Sequence, residues 1–310
     1  MTRPDADASY DVAVIGGGPA GLSAAIWLAR YQRSVVVVDS GDPRNWETRG
    51  VNGFLGLPKI PPTDLRAAGR EECRRYGVQL IDQEVCTVKQ NDDSSVAVDL
   101  ADGRALSAKR LLLAIGVKDV WPEIPGLAAA YGECAHVCPD CDGYEAKGKK
   151  TVVIGTGSRA VGMALALANW TDEIIICTNC GAEDLNGEML ERLKELNIPV
   201  LCEQVQSVSS TGSDVNCIQL DGGMQLDCER IFFCLGQHPA DDLGAQLECE
   251  RDDAGLIVVD AGQRTSVENV YAAGDITPGP QLAIAVAASG AIAAIAIHRS
   301  LLPEKLTMPG

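Results

Sequence analysis

Apolar positions in this chain fall into short runs closed by glycine, and the arrangement occurs twice. Tyr10 to Ile15 is a β-type run that leads directly into Gly16-Gly-Gly-Pro-Ala-Gly21. Leu22 to Arg30 then reads as a helix, and Val35 to Val38 as a fully buried strand ending on Asp39. The order returns with a strand over Thr151 to Ile154, the turn Gly155-Thr-Gly157-Ser-Arg159-Ala160, a helix over Val161 to Asn169 and a strand over Ile174 to Cys177. Between the copies, Val85 to Leu100 and Arg104 to Ile115 alternate like a small antiparallel meander that ends in Leu111-Leu-Leu-Ala-Ile-Gly116. Arg230-Ile-Phe-Phe-Cys-Leu-Gly236 closes the second copy in the same strand-then-glycine form, and the chain returns through Gly255 to Asp260 and Val270-Tyr-Ala-Ala-Gly-Asp275 to a closing helix from Gln281.

This doubling predicts an α/β chain of two Rossmann-like three-layer ββα dinucleotide-binding domains, the second inserted into the first. The outer domain is expected over residues 1–118 and 241–310 and the inserted one over 119–240, with hinges at Lys118 to Ile124 and Gln237 to Leu243. Glycines in the first turn let the backbone approach a pyrophosphate, the helix amino end supplies N–H donors, and Asp39 can accept ribose hydroxyls. Asp39 lies 23 positions after Gly16, close to the spacing of about 20 that such a site needs. The second copy lacks this ending. Thr178, Asn179 and Cys180 offer neither an acid for a ribose diol nor an arginine for a 2′-phosphate, and Glu183 and Asp184 would repel one.

Charge and composition narrow the partners. A net charge of −17 argues against nucleic acid and anionic membranes. Residues 1–9 are polar and acidic, without a secretory signal, so the expected location is the cytoplasm. The longest apolar run, Leu282 to Ile297, is interrupted by Ser289 and Gly290, is short for a membrane span and reads as a buried helix. Twelve cysteines in 310 residues then read mostly as reduced packing residues, Cys73, Cys86, Cys202, Cys217 and Cys249 among them.

Cys138-Pro-Asp-Cys141-Asp142-Gly143 is the exception. Two cysteines with two residues between them can close a small, readily reduced disulfide, and an adjacent acid can trade protons with the thiols. Candidate catalytic residues are Cys138, Cys141, Asp142 and, as a thiol base, His136. Zinc at the pair would need Cys134 and His136 as well, four ligands crowded into eight residues, so no metal is expected. Cys177-x-x-Cys180 has the same spacing without an acid and reads as structural, while Arg159, at the start of the second helix, reads as a solvated side chain that could instead reach a pyrophosphate.

From Tyr10 to about Leu302 this order of motifs resembles the low-molecular-weight thioredoxin reductase family of flavoproteins. The matching pieces are the Gly16 to Gly21 turn, the Leu111 to Gly116 strand, the Cys138 to Gly143 motif, the Gly155 turn and Tyr271-Ala-Ala-Gly-Asp275. The resemblance implies FAD held by the outer domain through Gly16, Gly18, Pro19, Ala20, Gly21, Asp39, Ala114, Gly116, Gly274, Asp275, Gln281 and Leu282. It also implies a central pyridine-nucleotide-type domain carrying the dithiol, a homodimer, and a domain rotation that exposes the dithiol alternately to flavin and partner. Carried over by position, Asp275 hydrogen-bonds the ribityl or phosphate portion, and Gln281, at the start of the last helix, meets the flavin N1/O2 edge. Cys141 faces the flavin, Cys138 attacks a thioredoxin-like protein or small-molecule disulfide, and Asp142 is the acid/base. Trp46, Trp121, Trp170 and Tyr144 are aromatic side chains that could stack on a flavin.

Three departures matter. No basic cluster follows Cys177 to grip the 2′-phosphate of NADPH, which leaves NADPH or NADH open as donor. Pro278-Gly-Pro280 stands where the family carries an arginine before the glutamine. His136 is similar to a feature of relatives that oxidise dithiols or work without pyridine nucleotide. The open readings are a nucleotide-driven disulfide reductase, a nucleotide-independent relative or oxygen-using dithiol oxidase, and a non-catalytic flavoprotein redox sensor.

Overall fold

The computed structural model describes residues 7–45, 48–179, 185–211 and 214–306, leaving aside the side chains of residues 7, 8, 214 and 216. Trp46 and the stretch from Cys180 to Asp184 lie outside the described residues. The first elements are β1 (Asp7–Ile15), α1 (Pro19–Arg30), β2 (Val35–Asp39), α2 (Pro62–Arg75), β3 (Gln79–Asp82), β4 (Val85–Gln90), β5 (Val96–Leu100), β6 (Ala105–Leu113) and β7 (Val117–Asp119). Then come α3 (Leu127–Ala130), β8 (Ala135–His136), α4 (Pro139–Asp142), β9 (Thr151–Ile154), α5 (Gly157–Leu167), β10 (Ile174–Cys177), α6 (Gly187–Glu195), β11 (Val200–Leu201), β12 (Val205–Thr211), β13 (Asp214–Leu220), β14 (Gln225–Leu226) and β15 (Arg230–Phe233). The chain closes through β16 (Gln237–Pro239), α7 (Leu243–Gln246), β17 (Val270–Ala272) and α8 (Ala283–Ser300).

Two compact units result. The outer unit takes Met1–Trp46, Pro62–Lys118 and His238–Gly310, and the inserted unit takes Glu47–Pro61 and Asp119–Gln237. The segment 48–61 was expected with the outer domain but groups with the inserted one. Its contacts explain why: Arg49 pairs with Glu133 at 2.5 Å, and Asn52 donates to the Cys141 carbonyl at 3.1 Å. The expected hinges include β7 and β16, which pair as a two-stranded sheet.

In the outer unit the sheet runs β3-β2-β1-β6-β5-β4, with β17 also on β6. β6 explains the branching. Ala105 to Ala108 pair antiparallel with β5, whereas Leu111 to Leu113 pair in parallel with β17. Alternation then divides the core. Ala13, Ile15, Val36, Val38, Leu111 and Leu113 fill one face, while Val12, Val14, Val35, Val37 and Leu112 face the layer containing α1 and α8. Uninterrupted apolar runs follow, because both faces are dry.

The inserted unit repeats the plan with order β11-β10-β9-β15-β8 and a smaller antiparallel β12-β13-β14 sheet. Val152 and Ile154 pack on one side of its main sheet, and Val153 with Phe232 on the other. Helix α5 ends at Leu167 rather than Asn169, since Trp170 N–H turns back to the Leu167 carbonyl.

Helix α8 differs from the buried rod expected. One side is covered, with Gly290 so close to α1 that a Cβ there would lie 2.0 Å from the Ala20 carbonyl oxygen. The other side leaves Ile284, Ile292 and Ile295 about two-fifths exposed, at 38%, 43% and 38%. By length and composition α8 is apolar enough to cross a membrane.

Candidate active site

Cys138 and Cys141 are joined as a disulfide across a Cα–Cα distance of 5.3 Å. Pro139 opens the single turn of α4, Cys138 is its N-cap, and the Cys141 amide donates to Cys138 Sγ at 3.1 Å. A donor in that position favours thiolate at Cys138 once the pair is reduced. Asp142 is held by both oxygens: Asn52 Nδ2 donates to Oδ1 at 3.2 Å, and His136 Nδ1 lies 3.5 Å from Oδ2. His136 is buried on β8 at 5% exposure against the Phe232 ring, and its Nε2 has no hydrogen-bond partner among the described residues. Gly143 must be glycine, because a Cβ would meet the Trp170 ring at 2.4 Å. All four candidate catalytic residues therefore come together, and Asn52 joins them without any sequence motif to announce it.

Other thiols are set apart by burial. It pushes Cys73 and Cys234 up to about 11 and Cys177 and Cys228 up to about 12, and it raises Cys249. Such thiols are inert near neutral pH. Among the described residues no group of His, Cys, Asp and Glu is arranged to hold a metal.

The first glycine turn has the features of an anion cradle. Gly16 at φ +110° lies under the end of β6, where a Cβ would come 2.3 Å from the Ala114 carbonyl oxygen, and Gly18 has open space beside it. Helix α1 starts with no side-chain cap on its first amides, so those donors remain for a ligand. Asp39 is 7% exposed, accepts from Gly41 N–H at 3.2 Å, and is paired with Arg66 and, at 3.3 Å, Arg70. A Cβ on Gly17 would collide with Asp39 Oδ2, so the acid lies directly over the turn.

The remaining cofactor candidates close in from the tail. Gly274 at φ +84° packs against Ala20, donates to Ser289 Oγ at 3.0 Å, and precedes Asp275. Gln281 does not begin the last helix: Leu282 is the N-cap and Ala283 the first helical residue. Arg44, which no motif indicated, donates to Asp275 Oδ2 at 3.1 Å and Gln281 Oε1 at 2.8 Å. Gly116 is a positive-φ turn after β6 at +71°. Open glycine backbone, uncapped amides and a fixed acid fit the diphosphate and ribose of FAD.

The second turn is aligned in register but equipped differently. Gly16 N–H donates to the Val38 carbonyl and Gly155 N–H to the Cys177 carbonyl, so Thr178 stands where Asp39 stands. Thr178 is 1% exposed and its hydroxyl donates to the Leu201 carbonyl, while Asn179 Oδ1 accepts from Val205 N–H at 2.9 Å. Thr156 replaces Gly17, putting a side chain where an overlying acid would collide. Arg159 is exposed and lies beside Gly236. Of the aromatic candidates, Trp121 packs on Tyr131 and Phe233, Trp170 on Gly143, and Tyr144 is 71% exposed.

Comparison with known proteins agrees with this geometry. Residues 10–290 match the family model described as pyridine nucleotide-disulphide oxidoreductase. The chain is 30% identical to a thioredoxin reductase, tcpT, of Claviceps purpurea, covering 86% of each. It is 29% identical to a component of the alkyl hydroperoxide reductase of Pseudomonas putida, covering 96% of this chain but only 59% of that longer protein. The crystal structure of HlmI superposes with a TM-score of 0.89 at 33% identity, over 94% of this chain and 92% of that one. The chain belongs to the pyridine nucleotide-disulphide oxidoreductase family, among its thioredoxin reductase-like FAD-dependent oxidoreductases.

Proposed function

We propose that Cys138 and Cys141 carry electrons between FAD and an external thiol or disulfide. The joined pair, with the Cys141 amide on Cys138 Sγ and Asp142 held at both oxygens, is the observation that carries this reading. The outer unit is read as the FAD domain, through the Gly16 to Gly21 turn, Asp39, Ala114, Gly116 and the Gly274 to Leu282 tail. FAD supplies a two-electron acceptor and donor for the dithiol. In the oxidising direction a substrate thiolate attacks Cys138 Sγ, the Cys138–Cys141 bond breaks and Cys141 leaves as thiolate. The second substrate thiol then displaces Cys138, and the substrate departs as a disulfide. Asp142 gives and takes the thiol protons, held by Asn52 and His136. Run backwards, Cys138 thiolate attacks a partner disulfide.

The second module supports entry of electrons from a dithiol rather than from NADPH. Thr178 and Asn179 spend their side chains on their own fold, and residues 160–191 contain no lysine or arginine to meet a 2′-phosphate. With dioxygen as oxidant the turnover balances as dithiol plus O2 giving disulfide plus hydrogen peroxide. The relatives named thioredoxin reductase favour a second reading, nucleotide-driven reduction of a thioredoxin-like protein or small-molecule disulfide. The exposed isoleucines of α8 support a homodimer, and free cysteines such as Cys73, Cys177 and Cys228 support a reducing compartment such as the cytoplasm.

A Cys138→Ser variant tests the core of this reading. Turnover of dithiol or disulfide is expected to fall by about 10³-fold or more with FAD still bound, since a serine hydroxyl cannot replace the attacking sulfur. Undiminished turnover would overturn the mechanism and leave a flavoprotein whose dithiol only reports redox state.

A further inference from the structure

The tail that closes over the first glycine turn brings an acid and no cation. Between Arg264 and Arg299 there is neither lysine nor arginine, and Pro278-Gly-Pro280 precedes Gln281. Arg44 reaches in from the loop after β2 instead. Its Nη1 bridges Asp275 Oδ2 and Gln281 Oε1, and the Arg44 and Asp275 side chains are 21% and 18% exposed. The receiving side is rigid: Gly274 N–H is held by Ser289 Oγ, and Thr277 Oγ1 donates to the Gly274 carbonyl at 2.8 Å. Because Arg44 takes the oxygen of the Gln281 amide, the amide NH2 is the end left to face other groups.

We propose that Arg44 is a positioning residue of the FAD site, supplying from a distant loop the positive charge that the tail lacks. This rests on the FAD-site reading above. FAD brings a doubly charged diphosphate, and its reduced ring is anionic. A carboxylate at Asp275 opposes both charges unless a cation offsets it, and a half-buried guanidinium bound to that carboxylate does so with little screening. Holding Gln281 as well couples the loop after β2 to the approach to α8, so one side chain sets charge and geometry together.

The test is titration of the apoprotein with FAD, followed by the midpoint potential of the bound flavin, for Arg44→Met, Arg44→Lys and Arg44→Met with Asp275→Asn. Arg44→Met is expected to weaken FAD binding about 10- to 100-fold and make the potential more negative. Arg44→Lys, which keeps the charge but loses the fork, should fall between, and it carries the test if the methionine variant does not fold. Asp275→Asn in the Arg44→Met background should recover affinity. Unchanged affinity and potential, or a loss that Asp275→Asn leaves untouched, would overturn the role of Arg44. A wild-type protein that takes up no FAD would instead overturn the functional reading beneath it.

Discussion

In the outer unit the second strand of the glycine-turn module ends on Asp39, whose carboxylate lies over Gly17 between Arg66 and Arg70. In the inserted unit the strand in the same register ends at Cys177, and the next residue is Thr178, buried and bonded to the Leu201 carbonyl. Strand, turn and helix are shared, so the fold does not distinguish the two modules. What differs is the side chain at the end of the second strand: a carboxylate set over the glycine turn in one module, and a buried hydroxyl bonded to the neighbouring strand in the other. A nucleotide-type fold and a nucleotide site are separable properties, decided by a handful of residues around one turn.

The largest effect should come from the turns themselves. Gly16→Val places a Cβ against the Ala114 carbonyl at a φ of +110°, where a β-branched residue is strained. The expected cost is on the order of 3 kcal/mol or more, with FAD lost from the purified protein. Gly155→Ala presses instead on Cys234 Sγ, and FAD content should stay at the wild-type level. Visible absorbance per chain checks both, and FAD loss from the Gly155 variant would erase the contrast between the modules.

Thiol chemistry separates the units' interiors from the exchange site. Cys177, in the register of Val38, is pushed up to about 12 by burial, as is Cys228. At pH 8 so little thiolate remains that alkylation of the reduced, folded protein should be about 10³-fold slower there than at Cys138. Mass spectrometry of iodoacetamide-labelled peptides reads this directly, and rapid labelling of Cys177 would show that the second module opens.

Smaller shifts should follow from the strand ends. Asp39→Ala should weaken FAD about tenfold. Asn179→Ala should leave FAD affinity unchanged and lower stability by about 1 kcal/mol through loss of the Val205 N–H partner. Paired FAD titrations and denaturant curves test the two together.

Much of this could be read from the chain because it follows a short period. Val35 to Val38 and Thr151 to Ile154 had to be strands dry on both faces, and the glycines marked where backbone must pass backbone. The Cys138 motif announced itself through spacing. Arg44, Arg66, Arg70 and Asn52 could not be found in that way, since each comes from a loop or helix surface and gains its meaning only from a partner far along the chain. Arg66 and Arg70 do stand four apart on α2, the one local signal that they share a face. Segment 48–61 has no periodicity to say which unit it joins. Helix α8 misled for the opposite reason, being apolar on every side, so its sequence could not say which face the fold would cover.

Electrons are expected to reach the flavin through Cys138 and Cys141, without selection of NADPH by the second module. Anaerobic reduction of the purified flavoprotein, followed in the visible flavin band, tests it most directly. Micromolar NADPH is expected to leave the flavin oxidised, while a small dithiol bleaches wild type and fails to bleach Cys138→Ser. Rapid bleaching by micromolar NADPH would mean that the second module does select the nucleotide and passes its electrons to the flavin.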